Sequence, residues 1–349
     1  MAGDAPRTSQ SQFAEPARPR MEPATGVRRP TLAPHEMTDV VTPVDDLFVL
    51  AHLGVPRVDP AQWSLRIDGW VGQPRTLDVE ALKALPKRIV ESVHECCGSP
   101  LNPTEPTRRI ANVRWAGADL AGLLNELGVD PRARFLWSYG LDGGEFAGTP
   151  CDWYVKDLPL ERLSAGDVLI AYEVNGAPLP AEHGYPARLV VPGYYGTNSV
   201  KWLWRIHLAE ERSQGLFTTK YYNDDASAED IASGLPARMP TWAIAPESVI
   251  VAPAPDAEVP LGKPVEIWGW AWSFRGIATV EVSVDGGASF ARATIEPRRG
   301  WARQRFSLPW QPTVRGAALL SVRAFEANGR SQPRDGARNA IHAVEVNVV

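Results

Sequence analysis

The 349-residue chain carries 36 Lys and Arg against 41 Asp and Glu. Its near-balanced net charge of −5 excludes a general polyanion-binding surface, and with it nucleic acid as a partner. Three cysteines, an odd number, argue against a disulfide framework and fit a reducing compartment, and no apolar run reaches the roughly 20 residues that a membrane-spanning helix needs.

At about 150 residues per domain the length allows two domains and a tail, and 13 tryptophans suit β-rich layers better than a helical bundle. Residues 1–36 are rich in Pro, Arg, Ala and Ser and lack the apolar stretch of a secretory signal. Arg28 and Arg29 are followed by Pro30 and by no apolar segment. This stretch is expected to be a disordered tail, having too little apolar surface to offset its ordering entropy, and the cytoplasm is the expected location.

From Thr42 to Gly69 the chain reads as extended segments broken by prolines, with Trp63, Leu65 and Ile67 alternating as in a half-buried strand. Asp78 is placed to cap a short helix that Pro86 ends. Ile89 to His94 is a predicted strand, and it delivers the chain to Cys96-Cys97-Gly98. A thiolate is a soft ligand, and the glycine allows a tight turn and close approach to a bulky group. One thiolate cannot build a zinc site by itself, so a metal held by Cys96 must bring most of its ligands with it. The plainer alternative is a cysteine buried as a small hydrophobe.

Leu120, Leu123, Leu124 and Leu127 line one face of a second predicted helix, stopped by Gly128. Phe135 to Tyr139 follows as a strand, and Asp142 to Gly148 as a Gly-rich loop. Val168 to Tyr172 is an apolar strand before an Asn175-Gly176 hairpin turn. His183, Arg188 and Lys201 then fall at or near the ends of short strands, where loops can gather them. Arg offers a planar fork and Lys a point charge to the same anion, so the three make a candidate phosphate clamp. Each taken singly reads more readily as a surface charge than as a ligand.

Pro-rich sequence from Pro246 to Pro264 marks the expected boundary between domains at 37–245 and 246–349. Trp268, Trp270 and Trp272 share one strand face, Val280, Val282 and Val284 repeat the alternation, and Asp285-Gly286-Gly287 supplies a turn. This spacing suggests an immunoglobulin-like sandwich. With no clustered His, Cys or carboxylates in it, its role is expected to be structural.

The run from His183 to Trp202, HGYPARLVVPGYYGTNSVKW, resembles the sulfite oxidase family of molybdenum enzymes. So do LIAYEVNGAPLP at Leu169–Pro180 and the Gly-Trp-Ala-Trp-Ser and Val-Ser-Val-Asp-Gly-Gly blocks between Trp268 and Gly287. The resemblance implies an α+β, mixed-sheet molybdopterin-binding domain followed by an all-β immunoglobulin-like domain that pairs two chains into a homodimer. It also implies a molybdenum-molybdopterin cofactor, whose dithiolene supplies two sulfurs while the protein supplies one thiolate. The family's Cys-x-Gly-Asn pattern puts that ligand at Cys96, with Ser99 in the place of Asn and Cys97 as the rival. By the same transfer His52, His183, Arg188 and Lys201 would hold the pterin and its phosphate, Asp142 would contact the cofactor, and Tyr154 would face the substrate oxygen; a packing tyrosine is the alternative for Tyr154.

The chain departs from sulfite-oxidising members at Leu50 and at Pro100-Leu101, where arginines are expected. At an effective dielectric near 20, a charge pair at 4 Å contributes on the order of 4 kcal/mol, so two missing arginines weaken a sulfite site unless others replace them. Arg108, Arg109 and Arg114 are the candidates. The expected activity is two-electron oxo transfer on a small-molecule substrate, sulfite or a related sulfur compound, with electrons leaving to a separate acceptor because no haem-binding segment is recognised. Reduction of S- or N-oxides is the alternative on the same cofactor, and a catalytically silent binding relative the alternative outside the enzyme class.

Overall fold

The structure, a computed structural model, describes residues 15–23, 31–99, 108–226 and 231–349. Two sheets build the first part of the chain. One has strand order Val155–Pro159, Phe135–Gly140, Leu203–Ala209, Leu65–Gly69, Arg75–Leu77, with Leu203–Ala209 parallel to Leu65–Gly69 and the other pairs antiparallel. The other is antiparallel, in the order Ala177–Pro178, Leu169–Val174, Ile110–Asp119, Lys87–Glu95, with Arg188–Val190 added beside Leu169–Val174. The expected mixed-sheet α+β domain is therefore present.

Its helices are short, and their ends follow local chemistry. Asp78 accepts a hydrogen bond from the backbone N–H of Ala81 at 2.8 Å and so caps Val79–Lys83. Leu120, Leu123, Leu124 and Leu127 are all buried on one face of Leu120–Leu127, and Gly128 ends that helix at φ +71°. The core joins that helix face to Leu65, Ile67, Trp202 and Ile206.

The second part is a sandwich of a four-stranded sheet (Glu247–Ala252, Val265–Trp272, Gln304–Trp310, Thr294–Ile295) and a five-stranded sheet (Glu258–Val259, His342–Val348, Gly316–Phe325, Thr279–Ser283, Ala291–Arg292). Along Val265–Trp272, Ile267 and Ala271 face the sandwich core, while Trp270 and Trp272 pack against Met37, Val93, Ile110 and Tyr195 of the first part. The alternating tryptophans thus form the contact between the two parts.

Two expectations are corrected. Residues 15–23 and 31–36, expected in a disordered tail, are ordered by partners elsewhere. Met21–Glu22 pairs with Val55–Pro56, Arg18 lies over the Trp153 ring at 5.2 Å, and Pro34–Glu36 forms a 3-10 turn; the rest of that tail lies outside the described residues. The Gly-rich stretch at Asp142–Gly148 holds one strand of a hairpin, Gly144–Phe146 with Thr149–Cys151, because glycines tolerate the positive φ of 157° at Gly144 and 75° at Gly148. The sandwich itself opens with the strand Glu247–Ala252, whose Ser248, Val249 and Ile250 are fully buried.

Candidate active site

Cys96 follows directly on the strand Lys87–Glu95, and that strand end is fixed from both sides. Its backbone pairs with Ile110–Asp119, and the Cys96 N–H donates to Arg109 O at 3.0 Å. From the sandwich, the Val93 N–H donates to Trp301 O at 3.0 Å and Trp272 Nε1–H donates to a carboxyl oxygen of Glu95 at 2.9 Å. Glu95 lies fully buried beside Glu247, so burial and then the neighbouring carboxyl push its pKa well up. Arg108 pairs with Glu247 at 2.9 Å, both side chains being buried.

One pocket with about 650 Å³ of empty space is lined by all seven residues that the sequence nominates: His52, Cys96, Asp142, Tyr154, His183, Arg188 and Lys201. They arrive from distant segments. Arg188 opens the strand Arg188–Val190, and its guanidinium donates to the carbonyls of His183 at 3.1 Å and Ser199 at 2.8 Å. Among the described residues no carboxylate pairs with it, and burial brings its pKa down to about 9. Lys201 Nζ donates to Glu182 O at 2.8 Å. Gly184, at φ +107°, lets the turn pass between these cations; a Cβ there would stand 3.1 Å from the Cβ atoms of both Arg188 and Lys201. Burial, then the charges of Arg188 and Lys201, drives the His183 pKa down to about 3, so this ring is neutral.

Asp142 is buried, and its Oδ1 has no hydrogen-bond partner. Burial raises its pKa to about 7 against the pull of Lys201. Its backbone carbonyl accepts from the Tyr154 N–H at 2.8 Å, tying the two residues together. The Tyr154 hydroxyl donates to Thr197 O at 3.0 Å and lies 2.8 Å from Thr197 Oγ1; burial raises its pKa well above the usual phenol range and keeps it protonated. The Cys96 pKa falls to about 7, first through the hydrogen bond from Cys97 and against burial, while Cys97 is pushed up.

A cofactor with a pterin and a phosphate tail fits this lining. The orphaned Asp142 Oδ1 calls for a donor such as a pterin N–H, and a buried arginine without a carboxylate calls for an anion. Among the described residues no three His, Cys, Asp or Glu side chains gather as a metal site, so a metal at Cys96 draws on donors from outside the protein.

Several lining residues escape a sequence reading. Tyr222 hydrogen-bonds to His52 Nε2, and Phe217 stacks on His52 at 5.4 Å and on Tyr154 at 4.6 Å. The adjacent Tyr221-Tyr222 pair is their only trace in the sequence. Opening from Cys96, Cys97, His52 and Leu50 is a second cavity, with about 970 Å³ of empty space, which Arg109 and Arg338 also line. Arg338 belongs to the sandwich, so the second domain contributes a side chain to this cavity's lining. Of the three candidate replacement arginines only Arg109 lies here. Arg108 is committed to Glu247, and Arg114 pairs with Glu91 at 2.9 Å on a half-exposed edge. Leu50 lines both cavities; Pro100 and Leu101 lie outside the described residues.

The fold and pocket define a pterin-cofactor oxidoreductase domain joined to a β-sandwich. Residues 52–217 match the family described as oxidoreductase molybdopterin binding domain, and residues 238–347 the Mo-co oxidoreductase dimerisation domain. Sulfite oxidase from Gallus gallus is 32% identical over 84% of this chain and 68% of its own, and that from Arabidopsis thaliana 32% over 78% and 75%. Mitochondrial sulfite oxidase from Mus musculus is 32% identical over 88% of this chain, which spans 62% of that protein. Among solved structures, the sulfane dehydrogenase SoxCD from Paracoccus pantotrophus superposes with a TM-score of 0.74 at 27% identity, covering 100% of this chain and 96% of that one. The chain belongs to the sulfite oxidase family of molybdopterin-dependent oxidoreductases.

Proposed function

We propose that the protein is a molybdenum-cofactor oxidoreductase that oxidises sulfite or a related small sulfur compound by two electrons and passes them to a separate acceptor. The observation that carries this is the convergence of the Cys96 thiol with Asp142, His183, Arg188 and Lys201 on one pocket. Bound there, the molybdenum-pterin group supplies the two-electron couple and the oxo-transfer chemistry.

The chain's own residues do the rest. With the group bound, Cys96 would hold the metal, Arg188 and Lys201 would neutralise the phosphate, and His52 and the neutral His183 would hydrogen-bond to the pterin. Asp142 takes a pterin N–H. Tyr154, kept protonated by burial, would donate to a substrate oxygen once its O–H turns away from Thr197 O, with the Thr197 hydroxyl then free to donate to it. The dimerisation-domain match supports a homodimer through the sandwich. Three free cysteines support the cytoplasm as the compartment.

Leu50 at the junction of the two cavities favours a second reading, reduction of an S- or N-oxide, since a neutral wall suits an uncharged oxide better than a dianion. Steady-state assays on molybdenum-loaded protein separate the two: saturation by sulfite with an added acceptor is expected, and saturation by sulfoxides alone overturns the oxidative assignment. Molybdenum content tests the ligand. Cys96→Ala is expected to lose the metal and Cys97→Ala to keep it; the reverse pattern moves the ligand to Cys97.

A further inference from the structure

The cavity leading to Cys96 has two unlike walls. On one side Phe146, Tyr221 and Tyr222 stand partly exposed around the buried ring of Phe217. Ring centroids are 5.1 Å apart for Phe146–Tyr221, 5.3 Å for Phe146–Phe217 and 5.9 Å for Phe217–Tyr222, and Leu50 also lines the cavity. The rings brace one another, so the wall is preformed and binding does not have to order it. Lys156, buried beneath it, donates to Phe217 O at 3.0 Å and fixes the turn that carries Phe217.

The facing wall is cationic. Arg109 donates to Gly98 O at 3.2 Å and has no carboxylate partner among the described residues. Arg338 donates to Cys97 O at 2.9 Å and pairs with Asp224. Among the described residues that line the cavity, two guanidinium groups stand beside the single carboxylate of Asp224. Sulfite can use the guanidinium groups and has nothing to place against the rings. An organic monoanion uses both walls.

We infer that the substrate is an organic sulfinate, R–SO2⁻, with R against Phe146, Tyr221 and Tyr222 and the two sulfinate oxygens directed to Arg109 and Arg338. This rests on the oxidative reading of the same site. The paired oxygens match the planar fork of a guanidinium as a carboxylate does, whereas a persulfide anion, R–S–S⁻, has no oxygen acceptors for it. The step balances as R–SO2⁻ + H2O → R–SO3⁻ + 2H⁺ + 2e⁻: a new S–O bond forms, two O–H bonds of water break, sulfur is oxidised, and the two electrons reduce two equivalents of a one-electron acceptor such as ferricyanide.

The test compares benzenesulfinate, methanesulfinate and sulfite as substrates of the molybdenum-loaded protein with ferricyanide as acceptor, and measures binding of the redox-inert product benzenesulfonate by calorimetry. Benzenesulfinate is expected to exceed methanesulfinate in kcat/KM by roughly 10- to 100-fold, since a ring seated in an apolar site discriminates more than a single methylene does. Tyr221→Ala is expected to lower that ratio about tenfold and to weaken benzenesulfonate binding alike. Saturable sulfite oxidation without sulfinate oxidation or benzenesulfonate binding overturns the proposal and leaves the oxidative reading standing. Equal use of the two sulfinates overturns the role given to the rings. Turnover of sulfoxides alone overturns both.

Discussion

Arg338, 241 residues along the chain from Cys97, donates a hydrogen bond of 2.9 Å to the Cys97 carbonyl oxygen and pairs with Asp224, which lines the same cavity. The sandwich therefore completes the wall around Cys96 and does more than pair chains. Hydrogen bonds from a charged donor contribute about 1.5–3 kcal/mol. Arg338→Met is expected to lower kcat/KM on the sulfur substrate by about tenfold or more, chiefly through KM, with molybdenum content unchanged. Loss of molybdenum in parallel would instead assign Arg338 to holding the cofactor loop.

The Arg108–Glu247 pair at the junction of the two parts is 5% and 1% exposed. Removing one partner of such a pair leaves a buried charge and costs about 3–5 kcal/mol. Arg108→Met should lower the denaturation midpoint accordingly, while Arg108→Met combined with Glu247→Gln should recover a good part of the loss. A single variant as stable as the parent would show that the pair contributes little.

Gly184 adopts φ +107° between Arg188 and Lys201. A residue with a Cβ pays strain of order 1–3 kcal/mol in that region and crowds both cations. Gly184→Ala is expected to lower cofactor occupancy more than it lowers the unfolding midpoint of the cofactor-free protein. Full occupancy in that variant would remove the turn from the cofactor site.

His342 is buried, its Nδ1 accepts from the Ile250 N–H at 3.1 Å, and burial, followed by the charge of Arg108, depresses its pKa from 6.5 to about 3. Below pH 6.5 the unfolded chain takes up a proton at this position that the folded chain refuses. Stability is thus complete above pH 6.5 and is lost as the pH falls toward 3, by on the order of 1.4 kcal/mol per unit over that window. His342→Gln, which keeps an acceptor, should flatten the dependence of unfolding free energy on pH between 4 and 6 by about one proton. An unchanged slope would place the proton uptake on another group.

The amino-acid sequence alone determined the features whose causes are local. Asp78 caps its helix, Gly128 ends another, and the alternation at Trp268, Trp270 and Trp272 sets a strand face, because capping, left-handed turns and period-two burial depend on neighbours a few residues away. The seven nominated site residues converge on one pocket, and their motifs stood together in short runs around Cys96 and from His183 to Lys201. Tertiary structure alone decided which arginines face the entrance. Arg108 and Arg109 are adjacent in the chain, yet one is buried against Glu247 and the other lines the cavity, because neighbouring residues on extended chain point to opposite sides. Arg338 gave no sign in its own surroundings, since the groups that give it meaning, Cys97 and Asp224, belong to other segments that only the packing of the sandwich onto the first domain brings within reach.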